Sequence, residues 1–129
     1  MTGDRFSRAV FMVAGIYGIV VLLPGYFSER MVARMMPPAI THPEFYYGFF
    51  GVGLAWQLAF LIIATDPARL RPIIPAAILE KASYFISCFV LFLLGRAPLT
   101  VVAGGTLDLA FGALFAVSYV RLRNAGTNS

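Results

Sequence analysis

Four long apolar runs, separated by short polar or proline-containing breaks, fill most of this chain. They cover residues 9–24, 45–65, 72–94 and 99–120, and the first can continue to Phe27. An α-helix crosses the hydrocarbon core of a bilayer with about 20 apolar residues. The pattern therefore predicts an all-α protein, a four-helix transmembrane bundle forming a single integral membrane domain over residues 1–129.

The breaks are chemically clear. Pro24-Gly25 ends or kinks the first run, because proline lacks a backbone donor and glycine loosens the turn. Asp66-Pro67 closes the second, and Gly95-Arg96-Ala97-Pro98 makes a tight connection between the third and fourth. Pro72 and Pro75 are tolerable in the first turn of the third helix. Residues 25–44 form the one sizeable segment between runs. Within it Phe27, Met31, Val32 and Met35 recur at helical spacing, Glu29 and Arg30 fall elsewhere on the wheel, and Ser28 is placed to cap the start. The expectation is a short interfacial helix between the first two spans, stopped by Pro37, Pro38 and Pro43. The alternative is an ordinary loop whose methionines pack on the bundle.

Composition agrees with this reading. The chain has 129 residues, 60% hydrophobic and only 12% charged, where a soluble domain carries about 25% charged residues. Its net charge of +4 is spread along the chain, so it is not the footprint of a nucleic-acid binder. It reads instead as a topology signal. Arg5, Arg8, Arg69, Arg71, Arg121 and Arg123 fall on the side of both termini, against Arg30, Arg34 and Arg96 on the other. The positive-inside rule then puts both termini in the cytoplasm, in a multi-pass protein of an inner (cytoplasmic) membrane. Leu22-Leu23-Pro24-Gly25 offers no small-x-small cleavage site, so the first run is read as an uncleaved span.

Three charges interrupt the apolar runs: Glu80 and Lys81 in the third, Asp108 in the fourth. An ionisable group at membrane depth costs about 2.5–3.5 kcal/mol on insertion scales, and marks a function or a buried pair. At 100° per residue Glu80, Ser83, Tyr84 and Ser87 share one helical face, with Lys81 and Cys88 at its margin. Ile78, Ala82, Phe85, Ile86 and Phe89 form the opposite, lipid-facing side. Adjacent residues on a helix diverge, so Glu80 and Lys81 should each seek partners elsewhere. Lys81 and Asp108 lie at heights differing by about 5 Å on antiparallel neighbours, which makes an ion pair between them reasonable. Glu80 then remains, with Ser83, Tyr84 or Gln57 as its expected neighbours. Gly104, Gly105 and Gly112 cluster on the Asp108 face and are expected to let the last two helices approach closely. Gln57 is read first as a hydrogen bond between helices, and the glycines of the second run as packing sites.

The candidates for ligand binding or proton relay are thus Glu80, Lys81, Tyr84, Asp108 and Gln57. No catalytic residue is assigned. No metal-ligand spacing, phosphate loop or nucleophile elbow occurs, and the sequence names no cofactor. His42, beside Pro43, reads as structural, and the lone Cys88 as a small apolar residue.

The layout resembles the DoxX-like group of small bacterial four-helix membrane proteins. The likeness is carried by the short four-span chain, the long first loop after Leu23-Pro24-Gly25, the glycine-rich second span and the polar residues late in the chain. That resemblance implies a quinone-coupled or redox-linked role. Three functions are open from the sequence. One is a polar pocket between the last two spans that binds a quinone or other lipid-soluble ligand. Another is an accessory or assembly subunit, with membrane-protein partners or copies of itself. The third is a proton-coupled transporter using Glu80 and Asp108 as a relay. A purely structural charge pair that fixes helix register is the plain alternative.

Overall fold

The computed structural model describes residues 2–127, with side chains described from residue 5. It contains five α-helices: α1 (Thr2–Gly25), α2 (Glu29–Met35), α3 (Pro43–Thr65), α4 (Ile74–Leu93) and α5 (Leu99–Thr127). A 3-10 turn over Arg71–Ile73 leads into α4. Four of the helices are long and apolar enough to cross a membrane. Their outer faces carry large exposed apolar side chains such as Met12, Val20, Leu58, Ile86 and Leu114.

Each helix ends for a local reason. α1 closes at Gly25 with Pro24 in its last turn. The Ser28 hydroxyl donates back to the Pro24 carbonyl, so it braces the exit from α1 and makes no side-chain cap on α2. α4 is stopped by Gly95, the one glycine with positive φ, at 74°. Gly95 N–H donates to Phe92 O at 3.0 Å and Arg96 N–H to Leu91 O at 2.7 Å. That is the paired closure of a Schellman motif, which favours glycine at the left-handed position. α5 runs past the expected boundary at residue 120, to Thr127, in place of a short polar tail. Leu122 is buried on the bundle, and Arg71 Nη1 donates to its carbonyl at 3.4 Å, which holds the extra turns.

The short helix after the first span is present as α2, and none of its residues is buried. Tyr47 donates to Glu29 at 3.0 Å and Tyr46 to the Gly25 carbonyl, tying α3 to the α1–α2 junction.

α1 packs along α3, and α4 along α5, while α1 and α5 join the two pairs. The glycines make the first two contacts close. At Gly18 of α1 an added Cβ would fall on the Gln57 side chain, and at Gly15 on Leu61. Gly105 and Gly112 face Phe85, Cys88, Ile78 and Lys81 across the α4–α5 seam. Without a hydrophobic drive between helices in lipid, such close packing supplies much of the association.

The packed core occupies only one end of the bundle. Phe11, Ala14, Phe60, Ile63, Ile74, Ala77 and Phe115 are buried there, all in the half nearer the termini. Phe11 stacks on Phe115 at 4.3 Å between ring centroids, and Phe60 meets Phe115 edge-on at 4.9 Å. Beyond these rings the α1–α3 pair and the α4–α5 pair part from one another, each still packed within itself.

Candidate functional site

The divergence leaves a cavity of about 1070 Å³ between α3 and α4, backed by α1 and α5. Its aromatic wall includes Tyr17, Phe49, Trp56 and Tyr84, and its glycine wall includes Gly48 and Gly104. Across the gap between α3 and α4 the Phe49 and Tyr84 rings stack at 5.6 Å.

Lys81 forms the floor. Its side chain is 4% exposed, and its ammonium stands 3.4 Å from Asp108 Oδ1 and 3.8 Å from Glu80 Oε2. Beneath it lie the rings of Phe60 and Phe111, with centroids 5.2 and 5.7 Å from Nζ. A cation over ring faces is attracted by the ring quadrupole. One ammonium thus stands between two carboxylates above and the aromatic core below. The expected Lys81–Asp108 pair is present.

Glu80 differs from its sequence expectation. It lies within ion-pair distance of its neighbour Lys81 after all, with Oε2 3.8 Å from the ammonium. Neither Tyr84 nor Gln57 bonds to it. Ser83 donates instead to the Glu80 backbone carbonyl at 3.2 Å, and the buried Glu80 Oε2 accepts no hydrogen bond.

Gln57 also differs. Its Nε2 donates to the Gly53 carbonyl of its own helix at 2.8 Å, so it makes no hydrogen bond between helices. It is 1% exposed, packed into the notch of Gly18, and its Oε1 has no hydrogen-bond partner. It nevertheless lines the cavity.

The expected polar face of α4 is kept: Glu80, Ser83, Tyr84 and Ser87 all line the cavity, with Lys81 beside them. Ile74, Ala77, Lys81 and Cys88 are the buried residues of α4, so Lys81 and Cys88 lie at the centre of the interior face. Ser83 and Ser87 are open to that cavity, while Phe85, expected on the lipid side, turns toward Gly105. The cause is the glycine pair on α5, which draws the Ile78–Lys81–Phe85 side of α4 against it. The same contact moves the pocket. With α4 and α5 tightly joined, no space remains between them, and the cavity opens between α3 and α4.

Gly105 and Gly112 pack as expected, but Gly104 does not. An added Cβ at Gly104 meets nothing within 4 Å, and the residue lines the cavity. Gly48 and Gly51 of α3, expected to pack, are likewise open.

Sequence reasoning missed Glu44, which stands in the first turn of α3 at the far end of the lining. The available signal was its four-residue spacing from Gly48 and Val52, which puts all three on one face. It also missed Ser7 and Ser118. Both are fully buried in the terminal half, and neither hydroxyl has a hydrogen-bond partner.

Comparison with protein-family models, with curated proteins and with solved structures finds no match. The site is therefore read from its own chemistry: an apolar, aromatic-lined space with a charged cluster at its floor.

Proposed function

We propose that this chain is an intramembrane binding protein that holds a lipid-soluble molecule between α3 and α4. The molecule's polar end lies at Glu80 and Asp108, and its apolar body lies against Tyr84, Trp56 and Phe49. The observation that carries this reading is the 1070 Å³ cavity, with an ion cluster at its floor and aromatic walls. Binding sites for small molecules are concave, mostly apolar and orient the ligand with a few polar groups. At about 1070 Å³ the cavity lies just above the ~300–1,000 Å³ usual for such sites.

The DoxX-like layout makes a quinone in a redox-linked role the first ligand class to try. The arginine distribution supports an inner-membrane setting with both termini in the cytoplasm, and α2 then lies along the opposite interface.

Native mass spectrometry of protein released from mild detergent tests the reading. Wild-type protein is expected to carry a bound lipid-soluble molecule, and Glu80→Gln to lose most of it while remaining folded. Retention of that molecule by Glu80→Gln would remove Glu80 from the site.

A further inference from the structure

We infer that the cavity selects a cation: a lipid-soluble molecule with an amine or onium head and an apolar body. This rests on the reading of the cavity as a binding site, and narrows what fills it.

The first ground is how the charges are distributed. The chain has ten basic and six acidic side chains, and a net charge of +4. Yet three of the six acids, Glu44, Glu80 and Asp108, line the cavity, against Lys81 alone of the ten bases. Glu80 and Asp108 stand at the cavity floor, and Glu44, largely exposed and 3.3 Å from His42, stands at its rim. Low-dielectric walls concentrate such a field on whatever enters.

The second ground is that the one lysine is already engaged. Its ammonium lies 3.4 and 3.8 Å from two carboxylates and over two ring faces, with 4% of the side chain exposed. It is poorly placed to receive an anionic head as well. Counted as ions, two carboxylates against one ammonium leave this cluster one positive charge short.

The third ground is the kind of atom left without a hydrogen bond. Glu80 Oε2, 3.8 Å from the lysine ammonium, and Gln57 Oε1, turned into the Gly18 notch of α1, are buried, accept no hydrogen bond, and belong to residues lining the cavity. Both are acceptors. The orientation of the Gln57 amide follows from its partner, since turning it would set its oxygen against the Gly53 carbonyl. Buried acceptors favour a positive head: a protonated amine supplies both charge and donor, a quaternary onium the charge alone, and a carboxylate or phosphate neither. The ring faces of Trp56, Tyr84 and Phe49 favour the same sign of charge.

Trp56 is the one tryptophan of the chain and stands in the cavity wall, so its fluorescence reports on occupancy. Purified full-length protein in a non-ionic detergent is titrated separately with tetraphenylphosphonium, tetraphenylborate and a short-chain benzoquinone. The first two match in shape and differ in sign. The expected result is saturable quenching by the phosphonium, with the borate at least about tenfold weaker. Glu80→Gln should weaken the phosphonium by about tenfold, and Glu44→Gln by less, with helicity by circular dichroism unchanged in both. Equal affinity for the borate, or saturable binding of the quinone alone, would overturn the cation inference while leaving the binding reading in place. If none of the three saturates, both fall.

Discussion

Lys81→Met is expected to destabilise the bundle by about 3–5 kcal/mol, the range for stripping one partner from a buried charge group. The lysine is nearly fully buried, so the loss is not screened by water. Its removal leaves Glu80 and Asp108 facing the same space with no cation between them. It also removes the charge resting over Phe60 and Phe111, which joins the ion cluster to the packed core. Methionine keeps much of the stem's volume, so the effect reports mainly on charge. Thermal loss of helicity in mild detergent measures it. The triple variant Glu80→Gln/Lys81→Met/Asp108→Asn should regain most of the lost stability, since it removes the unbalanced carboxylates as well. Wild-type stability in the single variant would mean that the cluster does not hold α4 to α5.

Gly112→Leu should be the other severe substitution. A Cβ at this position would sit 3.2 Å from Lys81 Cβ and 3.9 Å from the Ile78 carbonyl, so even the first added carbon presses on the lysine. Overpacking alone costs about 1–3 kcal/mol. Here the displaced neighbour is the lysine itself, so the ion contact at 3.4 Å should be lost with the packing. The two substitutions therefore act on one feature. In a double-mutant cycle Gly112→Leu should cost clearly less in the Lys81→Met background than in wild type. Additive effects would show that the close approach of α4 and α5 and the ion pair are independent.

Much of the architecture was legible because its signals are local. Pro24-Gly25, Asp66-Pro67 and Gly95 end helices by backbone chemistry that does not depend on what packs nearby. The Lys81–Asp108 pair could be read from helical rise and antiparallel order. The site was less legible because its position depends on neighbours. Gly104 and Gly105 are adjacent and chemically identical, yet one faces the cavity and the other faces Phe85. The 100° between them settles their roles only once the α4–α5 seam is known. The same dependence explains why the pocket was expected between α4 and α5. No local pattern states that the rings of Phe11, Phe60 and Phe115 fill one end of the bundle and leave α3 and α4 apart at the other. Gln57 was misread for a related reason. Its sequence position gives its depth, but the notch at Gly18 and the Gly53 carbonyl decide its contacts.

The central claim is that the space between α3 and α4 is a binding site. Filling that space from its own wall tests the claim most directly. Gly48 and Gly104 line it, and a Cβ at either meets nothing within 4 Å, so leucine at both positions adds bulk to the cavity without disturbing a packed seam. The measurement is native mass spectrometry of Gly48→Leu/Gly104→Leu beside wild type, both released from the same mild detergent. Loss of the bound lipid-soluble molecule, with the melting temperature kept, is the result predicted here. A bound molecule retained at wild-type occupancy in the filled variant would contradict it.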